Sequence, residues 1–252
     1  MKYTNNKISV TILTKNSKQY IKECLEALKM FDEVIVLDNG STDETIKIAK
    51  TFANVKVFEH QFIGFGPLKQ LAVSYATNDW ILSVDSDEIF EQKLVDEILQ
   101  LKLDKNRVYS ILRDNYYNKK LVKACGWAND YVERLFNKNS TNFNDKQVHE
   151  GLEITKDIEV KKLQHSFKHY SFDNASQLLN KLNHYSTLYA EQHKGKKKSS
   201  PTKAFLSGLF AFFKNYILQK GFLYGYEGLI ISISNANGAF YKYMKLYEAN
   251  KR

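Results

Sequence analysis

Three carboxylates within four residues close the apolar run Trp80-Ile81-Leu82-Ser83-Val84, in the order Asp85-Ser86-Asp87-Glu88. A short β-rich apolar run reads as a buried parallel strand, and open α/β sheets bind ligands outside the carboxyl ends of such strands. Asp85 and Asp87 then stand close together at that edge. Like charges side by side are costly unless a cation lies between them, and hard divalent ions take oxygen ligands. The chemistry this suggests is a Mg2+ or Mn2+ site that holds a phosphorylated substrate. The competing reading is a solvated strand end followed by the acidic first turn of a helix. Glu33-Val34-Ile35-Val36-Leu37-Asp38 ends the same way. A nucleotide across the edge could meet Asp38 with its ribose or base and Asp85/Asp87 through a metal on its diphosphate. Alternatively, Asp38 organises the Asn39-Gly40 turn.

Further along, Val148-His149-Glu150 sets a potential base beside an imidazole. A carboxylate within hydrogen-bond reach of a hydroxyl can take its proton. Glu150 is the first candidate for that role and Asp130 the rival, while His149 offers a metal or phosphate contact. Arg134 is a candidate diphosphate partner or a structural ion pair. Asp114, Trp127 and Asp130 could together line a sugar pocket, the ring covering an apolar sugar face and the carboxylates binding hydroxyls, with ordinary packing the simpler account of Trp127.

The elements that must position these residues alternate. Ile8–Thr14 is a β-branched first strand, and Tyr20–Met30 carries Ile21, Cys24, Leu25 and Leu28 at helical spacing. Strands follow at 33–38 and 55–58. A helix capped by Ser41 or Thr42 is expected to run through Phe52, and another from Leu68 to Ala76 precedes the strand at 80–85. Alternation over about 85 residues argues for a largely parallel α/β sheet. Short strands are expected at 108–112 and 131–136.

In order, Ile12-Leu13-Thr14-Lys15-Asn16, Val36-Leu37-Asp38-Asn39-Gly40-Ser41-Thr42-Asp43 and Asp85-Ser86-Asp87-Glu88 resemble the nucleotide-binding half of glycosyltransferase family 2. Phe62–Gln70, Glu133-Arg134-Leu135-Phe136, Val148-His149-Glu150 and Gly221-Phe222-Leu223-Tyr224-Gly225 extend the likeness over nearly the whole chain. It is strongest to bacterial lipopolysaccharide inner-core, heptose-directed glucosyltransferases. One departure is Leu68-Lys69-Gln70, where the family has a Gln-Lys-Asn-like triplet.

The resemblance implies a GT-A fold, Rossmann-like, with a mostly parallel central sheet, flanking helices and a helical C-terminal extension. It implies inverting, metal-dependent transfer of a hexose, glucose in first place, from a UDP-hexose donor to an inner-core heptose. Donor contacts are implied at Thr14, Asn16, Asp38, Gly40, Lys69, Asp85, Ser86 and Arg134. Metal contacts are implied at Asp87, Asp85 and His149, with Mg2+ or Mn2+ as the cofactor. Asp87, beyond the strand end, is the better ligand, while Asp85 faces the ribose or shares the ion. Neither is the base, because a carboxylate committed to a metal ion is a poor proton acceptor.

The chain divides by composition into a catalytic domain at 1–170 and a basic, aromatic extension at 171–252. Within the first, the nucleotide-sugar half is about 1–104 and the acceptor half 105–170. Residues 1–155 carry 21 Lys+Arg against 22 Asp+Glu, and residues 156–252 carry 16 against 6. A basic half implies an anionic partner. Ala204–Leu218 is fifteen residues with one charge, too short to span a bilayer, which needs about 20. Beside Lys194-Gly195-Lys196-Lys197-Lys198 it reads as a contact with an anionic membrane surface. Nucleic acid is disfavoured, because the aromatics are not interleaved with the lysines as a base-stacking platform requires. Two unpaired-looking cysteines and no signal-peptide core point to a cytoplasmic protein, peripheral on the inner membrane.

Two other classes stay in view. A sugar-nucleotide nucleotidyltransferase would want a glycine-rich loop after the first strand, whereas Thr14–Lys18 has no Gly. A noncatalytic membrane adaptor on the same fold would be expected to lack one of the acidic motifs, all of which are present.

Overall fold

The computed structural model describes residues 6–146 and 150–251. In chain order the elements are β1 Ile8–Thr14, α1 Ile21–Ala27, β2 Glu33–Asp38, α2 Thr45–Ala49, β3 Val55–Glu59, α3 Phe65–Ser74, β4 Trp80–Asp85 and β5 Glu88–Phe90. They continue with α4 Gln92–Gln100, β6 Arg107–Tyr117, β7 Lys120–Leu121, β8 Tyr131–Asn137, β9 Glu159–Phe172, α5 Ala175–His193, α6 Pro201–Phe213 and α7 Gly225–Lys251. The chain forms two compact units, one from residues through Arg113 with Asp130–His169, the other from Asp114–Asn129 with Tyr170 onward. Asp114–Asn129, inside the acceptor half expected at 105–170, groups with the C-terminal helices.

In the first unit the strand order is β3-β2-β1-β4-β8-β6-β9-β5. The β3-β2-β1-β4 half is parallel, while β8 joins β4 and β6 antiparallel and β5 joins β9 antiparallel. The sheet is therefore mixed rather than mostly parallel. Buried parallel strands need apolar side chains on both faces, and β2 is buried at every position. Ile21, Cys24, Leu25 and Leu28 of the α1 region are sealed from solvent, as their spacing required. The register pairs Thr14 with Asp38 and Leu13 with Asp85, so β2 and β4 deliver their terminal carboxylates on either side of the end of β1.

Three local expectations change. α2 starts only at Thr45 and is not capped by Ser41 or Thr42; Asp43 accepts from the Thr45 N–H (3.0 Å) and hydroxyl. α3 begins at Phe65 rather than Leu68, entered through Gly64 at φ 109°, with Pro67 in the first turn where its missing N–H costs nothing. Gly66 there has no room for a side chain, since a Cβ would sit 2.2 Å from the Asn144 carbonyl oxygen. Finally, Glu88-Ile89-Phe90 is a buried strand, not an acidic helix start.

At the opposite edge, the Glu33 carboxylate accepts from Ser9 Oγ (2.5 Å), Thr77 N (2.5 Å), Thr77 Oγ1 (2.7 Å) and Lys56 Nζ (2.8 Å). Burial works to raise its pKa, but Lys56 and these hydroxyls hold it down at about 2. A carboxylate depressed in the folded state stabilises above its unfolded value near 4.5, and that contribution is lost as pH falls toward 2. Glu33→Gln is expected to cost on the order of 3 kcal/mol at pH 7 and much less at pH 3. Chemical denaturation at the two pH values measures the difference.

The second unit is built on α7, against which α5 and α6 pack. Asn174 caps α5 by accepting from the Gln177 N–H (3.1 Å), and Ser200 caps α6 by accepting from Lys203 N–H (3.1 Å), with Pro201 at its first position. A π-helical turn at Lys214–Leu218 and a 3-10 turn at Gly221–Tyr224 connect α6 to α7. Its core gathers Tyr117, Val122, Cys125, Leu178 and Ile231. Trp127 stacks on Phe172 at 6.0 Å beside that core. Among the described residues no helix is long and apolar enough to cross a membrane.

Candidate active site at the carboxyl edge of the sheet

The loops after β1 and β2 are tied together by side chains. Asp38 accepts from the N–H groups of Gly40 (2.9 Å) and Ser41 (2.7 Å) and from the Ser41 hydroxyl. Gly40, at φ 100°, occupies the left-handed conformation this tight turn requires. Asn16, itself at φ 52°, accepts from Thr42 N–H (2.8 Å) and donates its own N–H to Ser41 Oγ (2.8 Å). Ser17 links the pair to the acidic loop, 2.7 Å from Ser86 Oγ. Both Asp38 oxygens thus shape the turn, the role the Asn39-Gly40 sequence offered beside a ligand contact.

Among the described residues, two buried polar atoms in this cradle, Thr14 Oγ1 and Asn39 Oδ1, find no hydrogen-bond partner. Leaving a buried polar group unmade costs about 1–3 kcal/mol, so an incoming ligand that supplied partners would be favoured by that amount at each atom. Asn39 was missed in the sequence because its Asp-Asn-Gly setting has the composition of any turn.

Four carboxylates lie beside the cradle. Asp85 meets Arg134 Nη2 at 2.8 Å and Lys69 Nζ at 3.5 Å. Glu88, 0% exposed, pairs with the same Arg134 nitrogen and accepts from the Asp85 N–H at 3.0 Å. Glu150 lies 3.0 Å from Lys69, and Asp87 lies 3.5 Å from His169 Nε2. β8 places Arg134 next to β4, and α3 places Lys69, so the two cations are 5% and 7% exposed. Burial pushes against ionisation of Asp85, yet Lys69, Arg134 and His169 hold its carboxyl well below the usual range. Burial raises the Glu88 carboxyl despite Arg134. Burial opposes the charge on Arg134 too, but Glu88 and Asp85 raise it further, so the guanidinium stays protonated.

Four carboxylates therefore gather around Lys69 and Arg134, with His169 beside Asp87, an acid-rich centre of the kind that draws a divalent ion. The donor set fits such an ion in a particular way. Asp85 is already engaged by Lys69 and Arg134, whereas Asp87 faces an imidazole. Among the described residues no three His, Cys, Asp or Glu side chains converge as a closed cage. Mg2+-type ions are commonly held by one or two carboxylates plus substrate phosphates and water. Asp87 matches that pattern, with the His169 imidazole 3.5 Å away; His169 was missed because it lies on β9, remote in sequence.

The structure thus brings Lys69, Asp85, Asp87, Arg134 and Glu150 into one network, and Thr14, Asn16, Asp38, Gly40 and Ser86 into the adjoining loops. Arg134 serves there as an ion-pair bridge. Asp130 instead receives two hydrogen bonds from Arg113, from Nε (2.8 Å) and Nη2 (2.8 Å). His149 lies outside the described residues.

Comparison with known proteins shows the family. The chain is 33% identical to an "uncharacterized glycosyltransferase" of Rickettsia typhi, over 96% of this chain and 87% of that one. It is 22% identical to the lipopolysaccharide core biosynthesis glycosyltransferase LpsC of Rhizobium meliloti, over 96% and 92%. Among solved structures, TarS 1-349 of S. aureus in complex with UDP superposes with a TM-score of 0.47 at 16% identity, covering 98% of this chain and 90% of that one. Residues 9–222 match the family model described as Glycosyl transferase family 2. Paired strand-end carboxylates on a GT-A-like mixed sheet are what such a chain should display, and this protein belongs to glycosyl transferase family 2.

Proposed function

We propose that the protein is a metal-dependent, inverting hexosyltransferase that uses a UDP-hexose, glucose in first place, and glycosylates a heptose of the lipopolysaccharide inner core. The observation that carries the donor reading is the acid-rich centre adjoining a loop cradle whose buried Thr14 Oγ1 and Asn39 Oδ1 find no hydrogen-bond partner among the described residues. The name of the 22% identical LpsC relative supports the acceptor class.

In this reading Thr14 and Asn39 bind the nucleoside, and the turn built by Asp38, Gly40 and Asn16 fixes their positions. Asp87 and His169 would hold Mg2+ or Mn2+, with His149 a further candidate. Such an ion, when bound, neutralises charge on the leaving diphosphate as the sugar takes on oxocarbenium character. Arg134 fixes Asp85 and Glu88, so the centre reorganises little during transfer. Glu150 takes the proton of the acceptor hydroxyl, and Lys69 keeps that carboxylate oriented. The basic second unit suits a lipid-linked acceptor at an anionic membrane surface, on the cytoplasmic face of the inner membrane.

Glu150→Gln is expected to lower turnover by about 10²–10⁴-fold with donor affinity nearly unchanged. Single-turnover kinetics alongside donor titration separates the two quantities, and near wild-type turnover would remove Glu150 as the base. The donor assignment is tested by assaying transfer and slow hydrolysis over a panel of UDP- and GDP-sugars with Mg2+ or Mn2+. Activity confined to UDP-hexoses is expected, and inactivity toward every donor would sink the proposal.

A further inference from the structure

The second unit carries an apolar face that stays exposed among the described residues. On α6, Ala204 is buried and Gly208 is pressed against α7, where a Cβ would lie 3.2 Å from both the Ala236 carbonyl oxygen and Phe240 Cβ. Asn215, one turn beyond the helix, is also buried and accepts from Asn235 Nδ2 at 2.8 Å. Small and polar residues thus line the inner side of α6. Its large apolar residues point away. Phe205, Leu209, Phe210 and Phe213 recur at helical spacing, and Leu218 and Leu223 continue the series through the π and 3-10 turns. All six are 49–65% exposed.

That orientation is the reverse of what folding alone selects. A large side chain spans roughly 150–250 Å², so half-exposure of these residues and their neighbours leaves on the order of 1,000 Å² of apolar surface in water. Monomers rarely expose more than a few hundred Å² in one patch, and a larger one marks an interaction site.

The surrounding charge says which kind. From Gln192 to Tyr226 the chain has seven lysines and no Asp or Glu. Lys203, Lys214 and Lys220 bracket the apolar series and are exposed. Glu227, the next acid, is mostly buried and paired with Lys120 at 2.9 Å. A second copy of the chain would bring lysines against lysines. An anionic lipid leaflet satisfies both features, taking the aromatics among its acyl chains and the ammonium groups at its phosphates. A thirteen-residue helix is about 20 Å long, short of the ~30 Å hydrocarbon core, so it must lie along the surface.

We infer that α6 and the two turns after it form a monotopic insertion element, in which Phe205, Phe210 and Leu223 enter the acyl region of an anionic bilayer. This differs from a purely electrostatic contact through Lys194–Lys198, because apolar burial sets the affinity and the lysines select the lipid. It needs neither donor nor acceptor, and so stands or falls separately from the transferase reading.

The test is flotation of the full chain with phosphatidylcholine vesicles with and without phosphatidylglycerol. Wild type is expected to float with the anionic vesicles. The triple variant Phe205→Ser/Phe210→Ser/Leu223→Ser is expected to lose roughly tenfold in affinity per side chain. Phe210→Trp, which keeps an aromatic at that site, is expected to gain blue-shifted emission with anionic vesicles, quenched by brominated acyl chains. Three outcomes would overturn the inference: no flotation of wild type, undiminished flotation of the triple variant, or unshifted, unquenched emission from the new indole. Sedimentation showing an oligomer that the triple variant dissociates, without vesicle binding, would assign the face to a second copy and likewise overturn it.

Discussion

Arg134→Met should destabilise the protein by about 3–5 kcal/mol at pH 7, the usual cost of removing one partner from a buried ion pair. The guanidinium bridges Asp85 and Glu88, and Glu88 has no solvent exposure to fall back on. A methionine leaves both carboxylates facing each other beneath the sheet edge. The loss should shrink as pH falls. Glu88 already has its pKa raised by burial, and without Arg134 it would take up a proton more readily than the unfolded chain does. A buried carboxyl with a raised pKa costs stability once pH climbs past its unfolded value, so the variant gains relative to wild type in acid. Adding Glu88→Gln removes one stranded charge and should recover part of the loss. Thermal denaturation of the two variants at pH 7 and pH 5 measures both effects; an Arg134→Met protein as stable as wild type would show the bridge to be dispensable.

Asp87→Asn is expected to have the opposite profile, with activity lost and stability kept. Asp87 is half-exposed at the strand edge, and its contact with His169 is 3.5 Å, so removing its charge should change stability by no more than about 0.5 kcal/mol. As the carboxylate proposed to share a divalent ion with the leaving diphosphate, it should carry about 10³-fold in turnover. Steady-state kinetics with the UDP-hexose identified in the donor panel, beside melting curves, tests the contrast. Substantial activity in Asp87→Asn would shift the proposed metal contact to Asp85.

These two residues also mark how far the sequence could be read. The β1, β2, β3 and β4 segments are apolar runs long enough to declare themselves, and each carries its boundary in nearby turn residues. Once the strands are parallel, Asp38 and Asp85 must share an edge, and the register places them there. What local pattern cannot reveal is pairing across long separations. Glu88 looked like the acid of a helix start because strand β5 exists only through pairing with β9, some 80 residues later. β9 itself is written Glu-Val-Lys-Lys-Leu-Gln-His-Ser-Phe-Lys-His-Tyr-Ser-Phe, and only Leu163 and Phe167 are buried in it. Its mixed, charged pattern hid both the strand and His169. The loop after β2 failed in a subtler way: Ser41 and Thr42 are good capping residues, but Asp38 and Asn16 claim them, leaving Asp43 to hold the start of α2. In the second unit Leu178, Leu182, Tyr185 and Tyr189 recur at helical spacing, and α5 covers them. The outward direction of the phenylalanines was not legible, because it follows from the fit of Gly208 against α7.

The account's central claim is that the sheet edge binds a uridine diphosphate group with a divalent ion shared by Asp87. Calorimetric titration of UDP into wild type and Asp87→Asn, each with and without Mn2+, tests it most directly. The prediction is tight binding to wild type only with Mn2+, and weak binding to Asp87→Asn that Mn2+ does not improve. UDP binding that is absent from wild type, or equally strengthened by Mn2+ in both proteins, would contradict it.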